Sequence, residues 1–256
     1  MLIPLQRLFV RKLALINLEK SVVASALFML SSSIRIGGNM IKHRVDRIAS
    51  QLDELTQKLY LTMVPEYQEG YANYVYQTDQ PDVQRRRIKH INKTFHRLLS
   101  ESSFYLMPMT QHSAEIIAHD WIYSPSYECY SMTADPEDYQ SILSPKARGE
   151  HYFQVLRNGV LFGFASFFEQ ESELEIGLGM APDATGQEDG VSFLGSIEAF
   201  ASTIYPQKIY VLNIASFNKG AQSLCQKMGY QPTSTFEQYT NGSNHAFVRM
   251  VKKKQS

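Results

Sequence analysis

The sequence predicts an α+β fold: a mixed, mainly antiparallel central sheet flanked by helices, with an N-terminal helical hairpin in front of it. Three observations carry this. Apolar residues recur at helical spacing between Met40 and Leu98. From Phe104 onward, short alternating or continuous apolar runs exchange with helical patterns. Gly, Asn and Pro punctuate the boundaries between them. The chain has 256 residues, 44% of them hydrophobic and 20% charged, which supplies a core and excludes a wholly disordered, collagenous or multi-span membrane protein.

Residues 1–39 differ from the rest. Ser21–Ile34 is apolar, rich in small residues and too short for a comfortable bilayer span. Arg7, Arg11, Lys12 and Lys20 precede it. A signal peptide, an N-terminal segment and leader sequence ahead of a true start at Met40 all remain open.

The hairpin is expected over residues 40–101. Val45, Ile48, Leu52, Leu55, Leu59 and Met63 form one apolar stripe, which predicts a single helix ended by Pro65. Residues 66–80 are tyrosine-rich and carry no clear period. Pro81-Asp82 opens a second helix with Ile88, Ile91, Phe95 and Leu98 inward. That helix holds Arg85, Arg86, Arg87, Lys89, Lys93 and Arg97, with no acid from Val83 to Ser100. Without base-reading residues beside it, a solvated face is favoured over a nucleic-acid or acidic-protein contact, and nucleic acid is not expected as a partner. A homodimer contact or a protein partner would use these helices.

Residues 102–256 form the main domain. Phe104–Met109 is a strand, and Thr110 caps a helix running to about Trp121. Tyr152–Leu156 and Val160–Phe168 form a hairpin about Arg157-Asn158-Gly159. Leu174–Met180 is a third strand. A polar loop from Pro182 to Gly190 leads into a helix over Val191–Ile204, with Phe193, Leu194, Ile197 and Phe200 inward. Lys208–Ile214 is a strand, and Asn218–Met228 is a helix stopped by Gly229. Two closing strands flank Asn241-Gly242.

Net charge is zero, with 25 basic and 25 acidic residues. The balance is uneven, because residues 102–256 hold ten basic and sixteen acidic residues. An acidic body suits a cationic or amine substrate. Two cysteines, Cys129 and Cys225, exclude a disulfide scaffold and a cysteine-built zinc site, and fit a reducing cytoplasmic setting. The seven histidines are scattered, so no metal is expected.

The order strand, helix, three antiparallel strands, helix, strand, helix, hairpin resembles the GNAT superfamily of acyl-CoA N-acyltransferases. Leu106–Thr110, Trp121-Ile122-Tyr123, Ser131–Asp138 and Gly177–Gly186 are similar to a bacterial RimJ/RimL-like branch. Phe217-Asn218-Lys219-Gly220-Ala221 through Lys227–Tyr230 resembles its terminal asparagine and alanine motif. The likeness covers about residues 103–252 and omits the first hundred.

That resemblance implies an N-acetyltransferase moving an acetyl group from acetyl-CoA to a primary amine, on a small molecule or a protein N-terminus, by direct attack. The alternative is a degenerate body serving as a binding or regulatory protein. Such transfer needs the pyrophosphate held, the carbonyl polarised, the amine deprotonated and the leaving thiolate protonated. The pyrophosphate loop [Gln/Arg]-x-x-Gly-x-[Gly/Ala] maps to Gln187-Glu188-Asp189-Gly190-Val191-Ser192. Glu188 stands where glycine is usual. Two unit charges about 6 Å apart at an effective dielectric near 20 repel by roughly 2–3 kcal/mol, so acids aimed at a diphosphate would weaken it.

Polarisation would come from backbone N–H groups across Ile176 to Met180, which places Gly177, Leu178, Gly179 and Met180 against the cofactor. Glu173 and Glu175 share a strand face, and Glu175 is the candidate base, directly or through water. Asn218 is a candidate cofactor contact. The acid for the thiolate is a tyrosine in the family, and Cys225, which holds that position here, is the candidate substitute. An arginine of the family is replaced by Gly220. The acceptor pocket would use Trp121, Tyr123, Tyr127 and Tyr130 as apolar walls with polar tips.

Overall fold

The computed structural model describes residues 38–185, 189–240 and 243–253. Residues 1–37 of the expected leader, Gly186, Gln187, Glu188 and the Asn241-Gly242 turn lie outside the described residues. The chain divides into two compact units. One comprises residues up to 103 with 158–160, and the other residues 104–157 and 161–256.

Among its described residues, the first unit holds four helices: α1 (Gly38–Ala49), α2 (Glu54–Thr62), α3 (Pro65–Val75) and α4 (Pro81–Ser100). The single helix expected over Met40–Met63 is therefore broken, while α4 falls where its pattern placed it. The break lies at Asp53, whose side chain accepts from the Thr56 amide at 3.2 Å and caps a new helix. Leu52 stays buried inside the break, so the apolar spacing continues across it and hides it. Pro65 ends α2 by starting α3, at a position where a missing N–H costs nothing.

The tyrosines of residues 60–71 make an aromatic core. Tyr60 stacks on Phe95 at 5.7 Å, and Tyr71 meets Phe95 edge-on at 5.0 Å. The Tyr60 hydroxyl donates to the Gln68 carbonyl at 2.9 Å, which satisfies its polar end inside the core. Gly159 has a φ of 85°, and a Cβ there would come within 2.7 Å of the Tyr67 ring. Both the backbone and the space demand glycine.

The second unit is a seven-stranded sheet. Its strands are β1 (Phe104–Pro108), β2 (Tyr152–Arg157), β3 (Val160–Glu169), β4 (Glu173–Met180), β5 (Ile209–Ala215), β6 (Gln231–Thr240) and β7 (Ser243–Lys252). Their order is β1-β2-β3-β4-β5-β7-β6. β4 and β5 are parallel, so a crossover helix must join them, and α8 (Gly190–Ile204) does so. Phe193, Leu194, Ile197 and Phe200 are its buried face.

Between β1 and β2 run α5 (Gln111–His119), α6 (Pro136–Leu143) and α7 (Pro145–Arg148). Thr110 caps α5 by accepting from the Ser113 amide at 3.3 Å. Asp135 caps α6 through the amides of Glu137 and Asp138. α9 (Lys219–Lys227) follows β5 and stops at Gly229, which has a φ of 93°. Among the described residues, no helix is long and apolar enough to cross a membrane.

Candidate functional site

The site begins where β4 and β5 part. Their ladder holds only Glu173↔Ile209, Leu174↔Tyr210 and Glu175↔Val211. Beyond it, β4 continues to Met180 in unbroken register with β3, and β5 continues to Ala215 paired with β7. Each strand keeps its outer neighbour and loses the inner one, so the sheet forks.

The bonding pattern tells which groups face the fork. Ala181 N donates to Phe162 O at 2.8 Å, and Gln170 N to Glu173 O at 2.9 Å. Antiparallel bonding alternates, so odd-numbered β4 residues turn their amides and carbonyls toward β3. The amides and carbonyls of Ile176, Leu178 and Met180 then face the fork. Tyr123 donates its hydroxyl to the Met180 carbonyl at 2.6 Å, consistent with that alternation. Burial pushes the Tyr123 hydroxyl well above its ordinary value, which keeps it a donor.

Gly177 and Gly179 are glycines for a different reason. A Cβ at Gly177 would lie 2.4 Å from Ser166 Oγ, and one at Gly179 would lie 2.5 Å from the Phe164 ring. The close β3 neighbours set their identity.

Glu175 sits at the vertex, in the last paired position. Its Oε1 accepts from Asn213 Nδ2 at 3.0 Å. Glu173 is bound to Arg249 at 2.6 Å, and Arg249 lies opposite Asn213 across β5 and β7. Glu173 therefore occupies the nearby cation and leaves the Glu175 carboxylate to a neutral donor. Asn213 Oδ1 is buried and has no hydrogen-bond partner. Neither Asn213 nor Arg249 was expected from the sequence, because nothing local marks them as partners of β4.

Three of the four aromatics expected to line an acceptor pocket come together. Tyr127 stacks on Tyr130 at 6.2 Å, and Tyr123 meets Tyr130 edge-on at 6.4 Å. Phe217, which the sequence placed in the asparagine motif and not among these aromatics, joins them at 5.7 Å from Tyr130 and is 45% exposed. Trp121 is placed apart, buried and tilted onto Phe164.

Asn218 is the N-cap of α9. Its Oδ1 accepts from the Ala221 amide at 3.0 Å, and its Nδ2 donates to Tyr130 Oη at 3.1 Å. The same side chain thus starts a helix and ties down the aromatic loop. Asn218→Ala is expected to lower the thermal midpoint by about 2–4 °C, the scale of one lost cap in a chain this size, as a scanning calorimeter would record.

At the N-terminus of α8, the amides of Gly190, Val191 and Ser192 have no intrahelical acceptor. Val191 is 50% exposed, and Gly190 packs so close to Leu224 of α9 that a Cβ would lie 3.0 Å from it. Asp189 makes no side-chain cap. Its carboxylate is bound instead to Arg157, whose guanidinium lies over the Phe162 ring at 5.0 Å.

Cys225 is buried on the inner face of α9. Burial first, and the Glu198 carboxylate second, push its thiol up to about 12, against a smaller opposing effect of Lys252. A thiol that holds its proton this tightly donates poorly to another thiolate. Among the described residues, no group of three or more His, Cys, Asp or Glu is placed to hold a metal ion.

No protein-family model matches the chain, and no curated protein matches it. Solved structures do. A chimera built on the Vibrio cholerae spermidine N-acetyltransferase SpeG is 18% identical with a TM-score of 0.50, over 59% of this chain and 95% of that one. The Salmonella typhimurium protein YncA, solved with acetyl-CoA, is 16% identical with a TM-score of 0.44, over 59% and 93%. Vibrio cholerae spermidine N-acetyltransferase, solved with CoA and spermine, is 16% identical with a TM-score of 0.47, over 58% and 94%. The first of these likenesses gives the fold: the sheet and its helices are arranged as in the GNAT acetyltransferases.

Proposed function

We propose that the sheet unit is an N-acetyltransferase that moves an acetyl group from acetyl-CoA to a primary amine, on a small molecule or a protein N-terminus, by direct attack. The observation that carries this is the fork between β4 and β5 with Glu175 at its vertex. An opened parallel pair offers an extended ligand two rows of backbone polar groups without a competing ladder bond.

The residues present fit such a co-substrate. The first-turn amides of α8 suit a diphosphate without any metal. The Ile176, Leu178 and Met180 backbone suits an extended amide-bearing chain. The acetyl thioester, when bound, supplies an activated carbonyl. An N–H of Ile176, Leu178 or Met180 directed at that carbonyl oxygen would stabilise developing negative charge. Glu175 would take the proton from the attacking amine, directly or through water, held in place by Asn213. Tyr123, Tyr127 and Tyr130 would wall the acceptor side, and the acidic body would draw a cationic amine. The same proposal assigns the chain to a RimJ/RimL-like branch, to the cytoplasm, and to domains at 40–101 and 102–256, with the helices open to a second copy or a protein partner.

One observation favours the second reading, a binding or regulatory protein on the same fold. The position that would protonate the thiolate holds the buried Cys225 thiol. Calorimetry with acetyl-CoA and thiol release across an amine library separate the two. The expected result is micromolar binding together with amine-dependent thiol release. Binding without release in any amine, or no binding at all, would sink the transferase and leave the regulatory protein.

A further inference from the structure

Among the described residues, Asp189 is the one at odds with a diphosphate at the start of α8, since it supplies a carboxylate at the entrance to those amides. An aspartate there would ordinarily turn inward and cap the second or third amide of the helix. Here it does not: its backbone is already helical, with φ −73° and ψ −10°, and no side-chain cap bond forms. Its carboxylate is taken by Arg157 at the end of β2. Arg157 is itself fixed by lying across the Phe162 ring, and Phe162 packs against Phe193 of α8 at 5.6 Å. β2, β3 and the first turn of α8 are thereby clamped through one ion pair.

We infer that Arg157 is a positioning residue for CoA, the counter-ion that neutralises Asp189 beside the first-turn amides of α8. This rests on the acyl-CoA assignment and deepens it. The pair neutralises a negative charge beside the expected diphosphate, while the helical backbone of Asp189 already keeps its side chain from capping the helix. The amides of Gly190, Val191 and Ser192 are left for the ligand, with the positive end of the helix dipole behind them. The guanidinium acts through Asp189 and not by touching the phosphates.

That last point gives the inference a signature in a double-mutant cycle read by calorimetry with CoA as the probe. Arg157→Gln strands Asp189, and CoA binding is expected to weaken about tenfold. Asp189→Asn removes the need for a counter-ion and is expected to bind CoA at least as tightly as the parent. The combined Arg157→Gln and Asp189→Asn variant is expected to recover to within about threefold of the parent. Arg157→Lys, which keeps the charge, is expected to fall between parent and Arg157→Gln. Thermal melts of each variant identify any that fail to fold, and the Asp189→Asn arm does not depend on Arg157→Gln folding.

Weak binding in both Arg157→Gln and the double variant would mean that Arg157 grips the phosphates itself, which overturns the inference. Unchanged binding in Arg157→Gln overturns it as well, as does weakened binding in Asp189→Asn. A parent protein that binds neither CoA nor inorganic pyrophosphate sinks the acyl-CoA assignment and this inference with it, so the two failures are told apart by the parent alone.

Discussion

Glu175→Gln is expected to lower kcat/KM for the amine about 10²–10³-fold at neutral pH while the Kd for acetyl-CoA stays within about twofold. The substitution is nearly isosteric, and the amide oxygen of a glutamine still accepts from Asn213 Nδ2, so the geometry at the fork survives. What is lost is a group able to take a proton. Steady-state rates with the best acceptor from an amine screen, set beside calorimetry, read both quantities. Rates within a few-fold of the parent would remove Glu175 as the base and leave the amine to lose its proton directly to solvent. Equal losses in rate and in acetyl-CoA affinity would show instead that the side chain is part of the wall of the fork.

Most of the order of the second unit is legible in the sequence because its strands and α5, α8 and α9 announce themselves locally, whereas α6 and α7 were not expected. Thr110 before an apolar helical pattern, Asn158-Gly159 between two strands, and Gly229 after a helix each demand a backbone shape that few residues supply. The helices of the first unit were harder. Their apolar stripe keeps its spacing across Asp53, so the period reports one helix while the cap at Asp53 makes two. Capping outweighed periodicity there, and Asp53 with Thr56 three residues on was the local clue.

The fork itself left no trace in the sequence, since it consists of hydrogen bonds that β4 and β5 do not make to each other. The contacts that finish the site were equally hidden. Asn213 to Glu175, Arg249 to Glu173 and Arg157 to Asp189 join residues from different strands and loops, and each pair was set by the sheet order. A shared strand face nominated Glu175, and a family likeness nominated Gln187–Ser192 and Asn218 by position. It could not say that Asn218 spends its side chain on a cap and on Tyr130, or that Asp189 turns toward Arg157.

Cys225 is expected to resist alkylation in the folded protein. Its thiol stands at about 12 against an ordinary value of 9.0, so at pH 8 the thiolate fraction, and with it the rate of reaction with iodoacetamide, falls about a thousandfold relative to the unfolded chain. The sign of the linkage follows from the same shift. A thiol whose value is raised by folding favours the folded state fully below pH 9, and that contribution is lost as the pH climbs from about 9 to about 12. In a Cys129→Ser background, alkylation timed by mass spectrometry at pH 8, with and without denaturant, measures the ratio at this one thiol. A ratio near a thousand places Cys225 in the packed seam between α9 and the sheet, where it cannot relay a proton on the time scale of transfer. Rapid alkylation of the folded protein, slowed by added acetyl-CoA, would put the thiol at the thioester instead and keep Cys225 as the candidate acid.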